Sequence, residues 1–130
     1  MTRALVWITP GGWEACVDAA AALGDAEVTL LCVSDTAGLE PGGLLGRHRH
    51  ADWPETDAAE LLDAAAERLG RPAGRIARSG QAEHEVIDAC AGADVLVVAR
   101  ANRRPGPHSF GHAVRFVVDH APCAVLLVWP

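Results

Sequence analysis

Lysine is absent from the 130 residues, and aromatic residues are only 5% of them. Without lysine there is no P-loop lysine, no Schiff-base lysine and no lysine general base. All eleven basic residues are arginine, which stays charged and suits bidentate contact with phosphate or carboxylate. Positive charge is also in deficit. Seventeen acidic residues leave a formal charge of −6, so nucleic acid is not an expected partner. Long apolar runs are missing. The longest are Ala4–Ile8, Val95–Ala99 and Ala121–Trp129, all far short of the ~20 residues that span a bilayer. A membrane is therefore not an expected partner either. Arg3 precedes only Ala4–Ile8 before Thr9, Pro10, Gly11 and Gly12 break the run, so no signal peptide is expected.

Paired cysteine motifs are lacking too. Cys16, Cys32, Cys90 and Cys123 form no C-x-x-C pair, and each is flanked by apolar residues. They read as buried, reduced and unreactive thiols of a cytoplasmic protein, rather than a zinc site or a disulfide framework. His48-x-His50 has no third ligand nearby in sequence, so no metal is expected.

What is present is a 50% hydrophobic chain of one-domain length, read as a single domain over residues 1–130. At that size one core can hide roughly two thirds of the unfolded surface without metal or disulfide staples. Two patterns alternate along it. Leu5–Ile8, Val28–Val33, Val95–Ala99 and Cys123–Trp129 are short, continuous apolar runs, the mark of strands buried on both faces. Ala73–Ser79, interrupted by Arg75 and Arg78, reads as a weaker edge strand. Between them lie helical stripes. Trp13, Cys16, Val17, Ala20 and Leu23 recur before Gly24. Ala58, Leu61, Leu62, Ala65 and Leu69 recur before Gly70 and Pro72. Shorter stripes are Ala82, Val86, Ala89 and Cys90, and then Ala113, Phe116, Val117 and His120. Asp52, Pro54 and Glu55 signal the start of the second helix, with Trp53 as a staple. Residues 34–53 form a long connection with the basic patch Arg47–His50, of a length that implies function or mobility.

The resulting order, βαβαβαβαβ, predicts an α/β domain of doubly wound type. Its sheet is parallel, with helices on both faces. In such a sheet ligands sit beyond the carboxyl ends of the strands, at the switch in strand order. The loops after Ile8, Val33 and Ala99 are therefore the candidate site. Ser109 with His108 or His112 and Asp119 has the residue types of a nucleophile and base. It lacks a G-x-S-x-G elbow, so no hydrolytic site is expected.

The segment Ala93–Val98, its glycine- and arginine-bearing loop, and the ending His120-Ala121-Pro122-Cys123-Ala124-Val125-Leu126-Leu127-Val128 closely resemble the universal stress protein family. Val28–Val33 and Ser79-Gly80-Gln81-Ala82 fit the same pattern. The resemblance spans essentially the whole chain. It implies a five-stranded parallel sheet in the order 3-2-1-4-5, a Rossmann-like, adenine nucleotide alpha hydrolase-like fold, and usually a homodimer. ATP-binding members carry an aspartate after the first strand and a G-x-x-G-x(9)-G-S/T loop after the fourth. Here the aspartate position is Thr9 and the two leading glycines fall on Ala99 and Asn102. The loop is one residue shorter, Gly111 survives, and the hydroxyl position is His112. Asn102 tolerates a left-handed conformation, which would keep that turn.

Arg100, Arg103 and Arg104 offset these losses with positive charge, joined by His112 near a helix N-terminus. The expected nucleotide or anion site is thus Thr9, Pro10, Val33, Ala99, Arg100, Asn102, Arg103, Arg104, Gly111 and His112. Its expected ligand is at most a weakly held ATP or AMP, or phosphate. Val125, Leu126, Leu127 and Val128 form an uncharged fifth strand at a sheet edge, with no terminal loop after Pro130 to cover it. They are the expected dimer interface. The expected function is a non-catalytic, dimeric, cytoplasmic regulatory protein with an altered adenine-nucleotide pocket. The alternatives are an ATP-binding switch of the same family, and a small nucleotide-hydrolysing or nucleotidyl-transfer enzyme on the same sheet.

Overall fold

The computed structural model describes residues 1–35 and 55–130. The Arg47–His50 patch, the Asp52 and Pro54 helix start and the Trp53 staple lie outside the described residues. Five strands and four helices alternate: β1 (Arg3–Trp7), α1 (Trp13–Ala21), β2 (Glu27–Asp35), α2 (Glu55–Leu69), β3 (Gly74–Gly80), α3 (Ala82–Ala89), β4 (Val95–Ala99), α4 (Gly111–His120) and β5 (Ala124–Val128). All strand pairs are parallel, and the sheet order is β3-β2-β1-β4-β5. In register, Leu5 lies between Thr29 and Leu96, and Val97 pairs with Leu126.

The continuous apolar runs follow from burial on both faces. Val6, Ile8, Leu30 and Val97 point to one face, where Cys16, Val17 and Ala20 of α1 and Ala58, Leu62 and Ala65 of α2 cover them. Leu5, Trp7, Leu31, Leu96 and Val98 point to the other face, under Val86 of α3 and Val117 of α4. Each fully buried Val or Leu contributes about 1.5–3 kcal/mol, and Val6, Leu30, Leu31, Leu96 and Val97 are all fully buried. These central strands therefore hold the sheet together and fix where their C-terminal ends meet.

The two edges differ. β3 alternates between exposed and half-buried residues. Arg75 bonds Asp63, and Arg78 bonds Asp88 at 2.8 Å, so this edge is charged and guarded. On β5, Val125, Leu126, Leu127 and Val128 are all half-buried and uncharged.

Element boundaries differ slightly from the periodicity. β1 begins earlier because Arg3 pairs with Glu27 and donates its N–H to Asp94 Oδ2 at 2.8 Å. α1 stops at Ala21 rather than Gly24. Leu23 N–H and Gly24 N–H bond the carbonyls three residues back, which tightens the last turn. α2 ends as expected at Gly70, whose φ of +75° is the left-handed cap that glycine adopts without strain. Cys16, Cys32 and Cys90 are buried, but Cys123 is only half-buried. The expectation of four inaccessible thiols therefore fails at Cys123, which sits at the rim just before β5. No helix among the described residues is long and apolar enough to cross a membrane. The described residues hold no cluster of three or more His, Cys, Asp or Glu suited to a metal ion.

Candidate functional site

β1 and β4 are neighbours at the switch in strand order, with β2 beyond one and β5 beyond the other. The predicted site residues gather around their C-terminal ends. Thr9 and Pro10 follow β1, Val33 lies in β2, Ala99 ends β4, Arg100–Arg104 begin the next loop, and Gly111 and His112 open α4. Thr9 is half-buried, and its carbonyl accepts the Gly12 N–H at 3.4 Å in a tight turn. Val33 is buried in the α3/α4-side core.

The turn after β1 rests directly on the end of β4. A Cβ on Gly12 would lie 2.5 Å from the Ala99 Cβ and 3.3 Å from the Pro130 Cβ. The backbone of Gly12 therefore occupies the space beside the Ala99 methyl. Periodicity did not single out Gly12 for this role. Its only signal was a second glycine where one suffices for a turn.

The loop after β4 is closed by its own bonds. Arg100 N–H donates to the Val128 carbonyl at 2.9 Å, prolonging the β4–β5 ladder by one residue. Ala101 N–H donates to the Ser109 carbonyl at 2.6 Å, and Ser109 N–H to that of Gly106 at 3.1 Å. The Asn102 side chain spans the loop. Its Nδ2 donates to the His108 carbonyl at 3.1 Å, and its Oδ1 accepts from Arg104 N–H at 2.9 Å. Asn102 is not left-handed, contrary to the expectation from its residue type. Every positive φ among the described residues belongs to glycine, and here Gly106 (+123°) and Gly111 (+76°) carry the reversals. The amide side chain makes the turn's bonds, so its backbone need not. Gly111 is confined further, because a Cβ there would lie 2.9 Å from that of Ala101.

The three arginines have separate surroundings. Arg100 lies over two aromatic rings, its guanidinium carbon 4.2 Å from the Trp129 centroid and 5.0 Å from that of Phe110. Its Nη1 donates to Ser109 Oγ at 2.9 Å, while its Nε is buried without a partner among the described residues. Arg103 Nε donates to the Pro130 carbonyl at 2.9 Å. Arg104 is exposed, as is His112 at the start of α4. Among the described residues no side chain caps α4, so the partial positive charge of its first turn has no side-chain acceptor there.

Ser109, weighed from sequence as a nucleophile, is buried and bonded to Arg100 rather than to His108 or His112. Ser109 is thus placed as a buried acceptor for Arg100, without the histidine partner that a general base would supply. An open groove of about 600 Å³ lies on the α1 side of the closure, bounded by Gly11, Glu14, Asp18, Arg68, Arg103 and Trp129. Within it Arg68 grips Asp18 through two bonds of 2.9 and 2.8 Å, and that hydrogen bonding lowers the Asp18 carboxyl below its ordinary range. This groove was not foreseen from sequence, because its walls come from segments far apart in the chain.

A family model described as the universal stress protein family matches residues 13–128. No curated protein matches the chain significantly in sequence. Among solved structures, the universal stress protein UspA from Lactobacillus plantarum superposes with a TM-score of 0.73 at 22% identity, over 98% of this chain and 97% of that one. A universal stress protein family protein from Arabidopsis thaliana with AMP bound gives 0.65 at 16% identity, over 99% and 92%. One from Archaeoglobus fulgidus in complex with dAMP gives 0.60 at 19% identity, over 98% and 97%. The shared architecture is the adenine nucleotide alpha hydrolase-like fold.

Proposed function

Because the chain belongs to the universal stress protein family, we propose that it is a non-catalytic, dimeric regulatory member whose nucleotide crevice is filled by its own residues. The observation that carries this reading is the contact of Gly12 with Ala99 and Pro130. ATP needs backbone N–H groups exposed at the strand ends, and here the methyl and the turn occupy that space. Ala101 folds onto Gly111, and Arg100 is committed to Trp129, Phe110 and Ser109. Thr9 offers no carboxylate to the adenosine end. On this reading the residues present do not fit ATP.

What remains is recognition of charge. Arg103 and Arg104 flank the loop, and His112 stands at the uncapped start of α4, an arrangement that favours phosphate or another small anion. A single domain of this kind, working in the cytoplasm, would signal through its partners rather than through chemistry. Dimerisation is read from β5, whose uncharged edge contrasts with the guarded edge of β3. The test is the nucleotide content of the purified protein. Mass spectrometry of the supernatant after denaturation should find no stoichiometric adenine nucleotide, and retained ATP or AMP would overturn the closed crevice. Light scattering at micromolar concentration should give the mass of two chains, and a soluble monomer would overturn the dimer.

A further inference from the structure

Charge is spread unevenly along the chain. Residues 100–130 hold four of the eleven arginines, Arg100, Arg103, Arg104 and Arg115, but one of the seventeen acidic residues, Asp119. The fold draws these arginines onto one surface around Phe110 and Trp129. The Arg115 guanidinium carbon lies 5.1 Å from the Phe110 centroid, and that of Arg100 lies 5.0 Å from the same ring and 4.2 Å from the Trp129 centroid. Arg103 joins them through Pro130, whose carbonyl accepts from its Nε at 2.9 Å. Arg103, Arg104 and Arg115 are exposed, and Trp129 is 45% exposed. Other arginines are neutralised in place: Arg68 meets Asp18, Arg75 meets Asp63, and Arg78 meets Glu85 and Asp88. Among the described residues no carboxylate pairs with any of the four around Phe110 and Trp129. Glu14, in the α1-side groove, and Asp119, one turn beyond Arg115 on α4, bound the surface.

We propose that this surface docks a short acidic segment of a partner protein, whose Asp and Glu carboxylates are taken by Arg103, Arg104 and Arg115. The inference rests on the reading that the chain acts through partners, and it extends the small-anion site from Arg103 and Arg104 to α4. Arg103 spends only its Nε on Pro130, so its two Nη groups are left to donate to a carboxylate. Arg115 is held over Phe110 while it stays exposed. A guanidinium fork meets a carboxylate in two parallel bonds, which favours this partner chemistry. Arg100 is the spine of the surface, since its cation–π contacts with both rings fix where they stand. The same contacts favour a peptide over single-stranded nucleic acid. Bases stack on open ring faces, and here Phe110 is shared by two guanidiniums and Trp129 is engaged by one. A long polyanion would also run onto a chain whose net charge is −6, whereas a short acidic segment meets the arginines alone.

The test is fluorescence anisotropy of a dye-labelled peptide of alternating Asp and Glu, titrated with the full chain at low salt. It should bind saturably, and the matching Asn and Gln peptide should not. Raising the salt from ~0.05 M to ~0.5 M should abolish binding, because exposed charges are then screened. Arg115→Ala should weaken the acidic peptide about two- to fivefold, the worth of one exposed charge pair, and leave the phosphate signal of Arg103 and Arg104 unchanged. Replacing both Arg103 and Arg104 by alanine should abolish peptide and phosphate binding together. Equal binding of the neutral peptide, tighter binding of a single-stranded oligonucleotide of the same charge, or unchanged peptide binding in Arg115→Ala would each overturn the proposal. No peptide binding by a protein that still binds phosphate would overturn the docking surface while the small-anion site stands. Peptide binding without phosphate binding would support the surface although the small-anion reading falls.

Discussion

Moving one methyl group across the switch point probes its closure. Gly12 has φ −159° and ψ 12°, a pair outside the regions alanine favours, so Gly12→Ala carries a backbone cost as well as a steric one. Its new Cβ would lie 2.5 Å from that of Ala99, well inside contact distance, with Pro130 at 3.3 Å behind it. Overpacking of this kind costs about 1–3 kcal/mol. Ala99→Gly alone removes one buried methyl and loosens a strand, about 1–2 kcal/mol together. If the two sites were independent, the double variant would lose the sum, about 2–5 kcal/mol. Because the closest clash needs both methyls, while the Pro130 contact and the backbone cost do not, the double variant should instead lose less than that sum. The coupling is then up to about 3 kcal/mol in its favour. Urea unfolding of the four proteins measures this directly, and melting should follow at about 4 °C per kcal/mol for a domain of this size. Additivity within about 0.5 kcal/mol would show that Gly12 and Ala99 do not touch, and the closed crevice would be refuted.

Other substitutions separate structural roles from binding roles. Arg100→Ala should cost about 2–3 kcal/mol through the lost Ser109 bond and ring stacking, and should alter Trp129 fluorescence. Unchanged stability with lost anion binding would mean that Arg100 faces a ligand. Gly111→Ala should cost more than Gly24→Ala, since both are left-handed but only Gly111 meets a neighbour. The left-handed share is about 1–2 kcal/mol in each, and equal losses in urea would remove the role given to Ala101. The thiols of Cys16, Cys32 and Cys90 are pushed by burial from 9.0 to about 12, 11 and 12. Each pKa is raised on folding, so above pH 9 the unfolded chain loses protons that the folded chain keeps. Stability should be flat below that pH and then fall by about 1.4 kcal/mol per thiol per pH unit toward pH 11. Urea titrations at pH 8 and pH 10 check the sign, and Cys16→Ala should lessen the drop.

The sheet was legible because central parallel strands, covered on both faces, must be apolar without interruption. Val95–Ala99 matched its strand end to end, and the stripe from Ala113 to His120 fell within its helix. The edge strand β3 was legible for the opposite reason, since Arg75 and Arg78 could not lie in a central strand. The site was legible only as a location. Gly12, Ala99 and Pro130 lie far apart in the chain, and their contact depends on how closely β1 and β4 approach. Arg100 read as a loop cation because charge is visible in sequence, whereas its position between Phe110 and Trp129 is a tertiary fact.

Titration calorimetry of ATP into the purified protein is the most direct measurement. Replacing a carboxylate by Thr9 forfeits a charge-assisted hydrogen bond of about 1.5–3 kcal/mol, which alone weakens binding roughly ten- to a hundredfold. Closure at Gly12 and Ala99 removes space as well. No saturable heat should be seen with ATP or AMP, while phosphate or sulfate gives a weak signal that disappears when Arg103 and Arg104 are both replaced by alanine. Micromolar ATP binding that is lost on substituting Thr9, Asn102 or Gly111 would show a working nucleotide site and contradict the closed crevice.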